Sequence, residues 1–255
     1  MRGPAWLGSI VAGRLTSALL TACAISITGC DPQSMSNDAF ANSTLAPLAS
    51  AVSSGDVAEI KRQLANVDPD TPGEDGSTLL VAAIGAENLA ATQALLDGGA
   101  DPNRPGRGGE TPVHAAAFVA DPAILRAVLA HGGDPDIRNP VTGATPMSRA
   151  LLGPYPDNVR VLLDAGADPQ LGDNNADTPL HVAARTNSGR SILMLLEAGA
   201  SATATNSGGA SFQAYYFSFP PRNALNDRAV DERRQVVAWL KAHHVPLEAN
   251  VDADY

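Results

Sequence analysis

Apolar pairs recur along this chain at a fixed distance from a threonine. Leu95-Leu96, Val128-Leu129, Leu162-Leu163 and Leu195-Leu196 each begin seventeen residues after Thr78, Thr111, Thr145 and Thr178. The threonines lie 33, 34 and 33 residues apart, and the one extra residue falls between Asp134 and Thr145, in a turn segment that tolerates insertion. Each apolar pair supplies the stripe of one helix. A shorter helix precedes it, opened by Thr and Pro: Thr caps free backbone N–H groups, and Pro fits the first helical position. Alanines inside that helix, such as Ala115-Ala116 and Ala183-Ala184, let neighbouring helices stack closely. Gly166 or Gly199 ends the leucine-bearing helix in a left-handed cap, and Asp-Pro with glycines turns the chain into the next unit. No helix pair can bury its apolar face alone, so stability must come from stacked neighbours.

The outer units depart from this pattern in ways that suit ends of a stack. The first is predicted as helices over 45–53 and 57–64, the second rich in charge (Glu59, Lys61, Arg62), which fits an N-terminal cap. In the last, Ser211 keeps the spacing, but Phe212, Tyr215, Tyr216, Phe217 and Phe219 follow, then Pro220-Pro221 and a helix over 226–242. That helix sets Asp231-Glu232-Arg233-Arg234 on its polar side and Val236, Val237, Trp239 and Leu240 on the other. The aromatic cluster reads either as an enlarged C-terminal cap or as a binding site.

Thr178-Pro179-Leu180-His181-Val182-Ala183-Ala184 resembles the T-P-L-H-x-A-A signature of the ankyrin-repeat family. Thr111-Pro112-Val113-His114-Ala115-Ala116, Thr145-Pro146-Met147 and Thr78-Leu79-Leu80 stand in the same register, and the resemblance covers roughly residues 45 to 247. It implies an all-α solenoid of about six helix-turn-helix units with turn or hairpin fingers. The units run over 45–76 (cap), 77–110, 111–144, 145–177, 178–210 and 211–250 (elongated cap), with a tail at 251–255. Thr111, His114, Thr145, Thr178 and His181 become structural motif positions, the imidazoles bonding backbone between repeats.

Ahead of the repeats, Arg2 and Arg14 precede an apolar run through Ile27 that reads as the core of an export signal over 1–29. Ile27-Thr28-Gly29-Cys30 resembles a bacterial lipobox, which implies that Cys30 is lipidated, with 30–44 forming the lipidated residue and a flexible tether. Cys23 falls in the removed part, leaving Cys30 as the sole mature thiol, with no partner for an intramolecular disulfide. The expected location is the periplasm, lipid-anchored to a membrane, with Asp31 suggesting the inner one.

Charge and chemistry narrow the function. The chain carries −10, and removing Arg2 and Arg14 with the leader takes this to −12, which speaks against nucleic acid. His114 and His181 are structural, His131 sits at a surface helix end, and His243-His244 point about 100° apart on a helix, which disfavours chelation. No G-x-S-x-G, H-E-x-x-H or phosphate-cradling loop occurs. The expectation is therefore a monomeric non-enzyme with no catalytic residue, metal or cofactor, touching a membrane only through its anchor.

The family resemblance implies a protein partner on the fingertips and first-helix face. Carried over residue by residue, the partner-binding candidates are Arg107, Glu110, Phe118, Val119, Leu152, Tyr155, Asn174, Asp177 and Arg185. Phe118, Val119 and Leu152 would form an apolar centre with arginines at its rim, unless Phe118 and Leu152 are buried between repeats. The expected role is inhibitor or immunity-type binding of a toxin or envelope hydrolase; the alternative is a scaffold or stress-protection factor for a periplasmic enzyme.

Overall fold

A computed structural model describes residues 37–40 and 44–251. The expected export signal, Cys30, Asp31, most of the tether and the last four residues of the tail lie outside the described residues. Six helix pairs follow one another: α1 (Ala46–Ser54) with α2 (Val57–Leu64), α3 (Leu79–Gly85) with α4 (Leu89–Asp97), and α5 (Pro112–Phe118) with α6 (Pro122–Ala130). Then come α7 (Pro146–Leu152) with α8 (Pro156–Asp164), α9 (Pro179–Arg185) with α10 (Gly189–Glu197), and α11 (Phe212–Tyr216) with α12 (Asp227–Ala242). First helices pack on first helices and second on second, giving, among the described residues, an all-helical, two-layered solenoid of six units, as the resemblance implies.

Local chemistry places each boundary. The Thr78, Thr111 and Thr145 hydroxyls accept the N–H of the residue three positions on, and Pro opens α5, α7 and α9. Asp56 and Asn88 cap second helices in the same way, and Asp121 accepts the Ala123 N–H two positions on. Gly166, at φ +85°, ends α8 and lets Ala167 return its N–H to Leu162. The repeated alanines Ala83, Ala116, Ala150 and Ala183 are all buried between first helices, and Leu95, Val128, Leu162 and Leu195 between second helices. Burying each such Leu or Val side chain stabilises the stack by about 1.5–3 kcal/mol.

Between units the chain extends into a finger closed by two backbone bonds. Gly106 N–H donates to Glu110 C=O and Gly109 N–H back to Gly106; Gly73, Asp173 and Asn206 repeat this geometry. In the fourth unit Asn139 donates to Ala144 and Gly143 to Asn139, one residue wider. The inserted residue is thus absorbed in the fingertip, and the helices stay in register.

Two local expectations change. Within the expected tether, residues 37–40 form a 3-10 turn; Phe40 is buried in the core beside Gly73, and Glu74 N–H donates to Ala39 C=O at 2.9 Å. Phe40 is the one aromatic in that polar stretch, and burying it outweighs ordering a few residues. Arg233, expected on the polar side of α12, has no exposed surface. Its Nη2 donates to Pro220 C=O at 2.9 Å, and its guanidinium lies over the Tyr216 and Phe217 rings at 5.2 and 6.0 Å. The enlarged α11–α12 loop folds back over the helix, and Arg233 satisfies its carbonyl. Phe212, Tyr216 and Phe217 are buried there, which supports the cap reading for those three.

Candidate functional site

Three positions recur wherever one first helix packs on the next: the residue before the helix-opening Thr, the residue seven after it, and the residue four after the next unit's Thr or Ser. At the junction of the third and fourth units these are Glu110, Phe118 and Arg149. Arg149 Nε donates to Glu110 Oε1 at 3.0 Å, and its guanidinium lies 4.3 Å from the Phe118 ring centroid. At the junction of the fifth and sixth units they are Asp177, Arg185 and Tyr215. Arg185 Nη1 donates to Asp177 Oδ2 at 2.9 Å and stacks over Tyr215 at 5.6 Å. Aromatic ring and arginine have exchanged seats, yet the result is the same: a guanidinium held flat on a ring and tethered by a carboxylate.

The junction between these two holds Ala144, Leu152 and Val182 instead. Val182 is buried, but Leu152 is 56% exposed. It stands one helical turn beyond Arg149 on α7 and in the same row as Phe118 on α5 and Arg185 on α9. Tyr155 and Phe118 flank Gly153, each with a ring atom 3.5 Å from where a Cβ would stand. The face therefore presents one exposed apolar side chain between two braced arginines, beside two half-buried aromatic rings. The Val141 fingertip, 66% exposed, belongs to the same unit.

Of the nine expected residues, Glu110, Phe118, Leu152, Tyr155 and Arg185 gather here. Arg107 is exposed on its finger, 3.7 Å from Asp75. Asn174 braces fingers, donating Nδ2 to Val141 C=O at 3.0 Å and its backbone N–H to Thr142 C=O at 3.1 Å. Val119 is corrected: it is 7% exposed and joins the core. Its backbone leaves the helix at φ −85°, ψ 162°, and that turn sends the side chain inward. Asp177 is corrected too: 8% exposed, it takes Arg185 and the Asn206 amide (2.8 Å) rather than facing outward. Arg149 was missed, although its place four residues after Thr145 corresponds to that of Tyr215 after Ser211.

Beneath the face, His114 and His181 act as expected of the motif. Each Nε2 donates to a carbonyl of the next finger, Ala144 at 3.0 Å and Ala210 at 2.9 Å, and each Nδ1 accepts the N–H of Thr111 or Thr178. Burial pushes the His114 imidazole below its ordinary pKa, against the pull of Ala144 and Glu110. His131 moves the other way, raised by the Ala127 carbonyl and by Asp97 at 3.2 Å.

Among the described residues, no group of three His, Cys, Asp or Glu is placed to hold a metal ion. No described helix is long and apolar enough to cross a membrane. On the second-helix side a depression of about 540 Å³ sets Arg160, Arg190 and Arg228 against Glu197, Asp231 and Glu232. Three charges of each sign give it no preference for an anion or a cation.

The family model for ankyrin repeats (3 copies) matches residues 48–139 and 113–206. Protein PhlB of Serratia liquefaciens is 43% identical over 140 residues, 55% of this chain and 62% of PhlB. Protein fem-1 homolog A of Rattus norvegicus is 47% identical over 64 residues, 24% of this chain and 10% of that protein. The chain thus spans less than two thirds of the length of either relative. Among solved structures, the ankyrin repeat domain of Bcl-3 matches with a TM-score of 0.66 at 24% identity, covering 81% of this chain and 88% of that one. At that identity the likeness is one of fold.

Proposed function

The chain belongs to the ankyrin-repeat family, and from that premise we propose that it works by holding another protein against its finger and first-helix face, as an inhibitor or immunity-type binder of a toxin or envelope hydrolase. The exposed Leu152 between the Arg149–Phe118 and Arg185–Tyr215 pairs carries this reading. Arginine and tyrosine are residue types in which interface hot spots are enriched, and here the pre-oriented arginines stand on either side of the apolar Leu152. The role is binding rather than catalysis. On the sequence reading, Cys30 anchors the domain to a membrane from the periplasmic side.

Envelope and secreted proteins would be passed over the immobilised protein and over its Leu152→Asp variant. The expected result is a hydrolase or toxin retained by the first but not the second, and inhibited at one-to-one stoichiometry. Retention of a resident envelope enzyme with its activity preserved replaces inhibition with the scaffold reading. Equal retention by both proteins removes the face from the site.

A further inference from the structure

Charge is segregated across this stack. In the third to fifth units, the fingers and first helices (104–119, 138–152, 171–186) carry Arg104, Arg107, Arg138, Arg149 and Arg185 against three carboxylates. The second helices and following turns of the same units (120–137, 153–170, 187–204) carry three arginines against seven carboxylates. Within these three units the positive charge is therefore concentrated on the face that also exposes Leu152.

We propose that the partner segment seated on this face is acidic, with an apolar side chain set between two carboxylates. This deepens the docking reading and rests on it. Neither central arginine is used up by its own carboxylate. The Arg149 guanidinium gives only Nε to Glu110, and that of Arg185 only Nη1 to Asp177, and neither guanidinium makes another hydrogen bond among the described residues. Each keeps donors for an incoming carboxylate, and its aromatic ring already fixes the guanidinium plane, so little side-chain freedom is lost on binding.

Spacing narrows the motif. The Arg149 guanidinium lies over Phe118 on α5 and the Arg185 guanidinium over Tyr215 on α11, so the two flank Leu152 of α7 from opposite sides. Neighbouring helices stand about 8–10 Å apart and an extended segment advances about 3.3 Å per residue, so its carboxylates fall about three or more residues to either side of the apolar residue. The net negative charge does not defeat this. The acidic second helices lie a helix layer behind, comparable to the screening length of about 8 Å at physiological salt.

The probe is a displayed library of random dodecapeptides, selected on the full chain and counter-selected on Leu152→Asp. Enriched peptides should share an acidic–apolar–acidic pattern and be released by salt. Their affinity should fall about tenfold with Arg149→Gln or Arg185→Gln, the worth of one charge-assisted hydrogen bond. Glu110→Gln, which removes the competing carboxylate, should tighten them; a merely structural role for the Glu110–Arg149 pair predicts weakening. Thermal unfolding of each variant separates lost binding from lost fold. Basic or uncharged enriched peptides, or acidic ones indifferent to all three substitutions, overturn the acidic motif while leaving the docking face standing. A library yielding no peptide that depends on Leu152 overturns both.

Discussion

Asn158 offers the sharpest test of how the site is held. It has no exposed surface, and its Nδ2 donates to Ala117 C=O at 3.0 Å and Val119 C=O at 2.8 Å. Those carbonyls bracket Phe118, so a side chain on α8 fixes the end of α5 that carries the aromatic ring beneath Arg149. Asn158→Ala removes both donors, and each orphaned buried carbonyl costs about 1–3 kcal/mol. Part of that is offset, because Asn158 Oδ1 has no partner among the described residues and its burial cost disappears with it. The net loss should be about 2–4 kcal/mol. With a urea dependence of about 1–3 kcal/mol per molar, the unfolding midpoint should fall by about 1 M or more. Hydrogen exchange at Phe118 to Ala120 should accelerate ahead of the other loops. Ser148 is the internal control: its Oγ is equally buried and also lacks a partner among the described residues, so Ser148→Ala should be neutral or slightly stabilising. The reasoning fails if Asn158→Ala lies within about 0.5 kcal/mol of the parent, a change typical of surface substitutions, or if Ser148→Ala is as costly.

Other outcomes follow from single residues. Burial lowers the His114 pKa, so between its folded value and the ordinary histidine value of about 6.5 the unfolded chain binds the extra proton, and stability falls as pH drops through that window. His131, with a raised pKa, contributes in the opposite sense, its stabilisation being lost as pH rises through the folded value. Urea unfolding of His131→Ala from about pH 8 to 5 should isolate the His114 arm, and adding His114→Gln should flatten it. Gly143, at φ +71°, points where a Cβ would meet the Asn174 side chain and, at 2.9 Å, its backbone nitrogen. Gly143→Ala should therefore cost about 1–3 kcal/mol of stability in the same assay. On the sequence reading of the N-terminus, Cys30→Ser should abolish acylation, checked by metabolic labelling with a fatty-acid analogue; a labelled variant refutes it.

The repeat was legible because its determinants are local and recur. A cap at Thr111, a proline at Pro112, a small residue at Ala116 and an apolar pair at Val128 each specify their own few residues, and all agree. The candidate face was only half legible because its arginine–ring pairs join separate units. Glu110 and Arg149 are 39 residues apart, and nothing in the sequence around Arg149 announces a carboxylate on one side and the Phe118 ring on the other. Val119 was misread because helical spacing says where a side chain points only while the backbone stays helical, and it stops at Phe118. Arg233 was misread because its charge predicts water, whereas the non-repeating α11–α12 loop supplies a carbonyl, and the end of α11 two rings, to receive it.

The ties between units also fall in alternation. His114 and His181 reach the next finger across the two junctions that hold the arginine–aromatic pairs, whereas the same slot holds Val81 and Ser148 in the second and fourth units. A buried hydrogen bond adds about 1 kcal/mol, a partly exposed cation–π contact about 0.5–1, and a half-exposed ion pair up to about 1. The third–fourth junction thus exceeds the one between the fourth and fifth units by about 1.5–3 kcal/mol, and the fifth–sixth junction, whose Asp177–Arg185 pair lies within the fifth unit, by about 1.5–2, less what the exposed Asn174 bonds return there. In a solenoid whose stability is a sum over neighbouring interfaces, a less tied interface opens more readily than those beside it. Leu152 stands on that junction, on the α7 side, with Arg185 facing it from α9. A segment that covers Leu152 and engages both Arg149 and Arg185 would therefore close a junction less secured than the ones on either side of it, so that binding and stiffening of the stack become the same event.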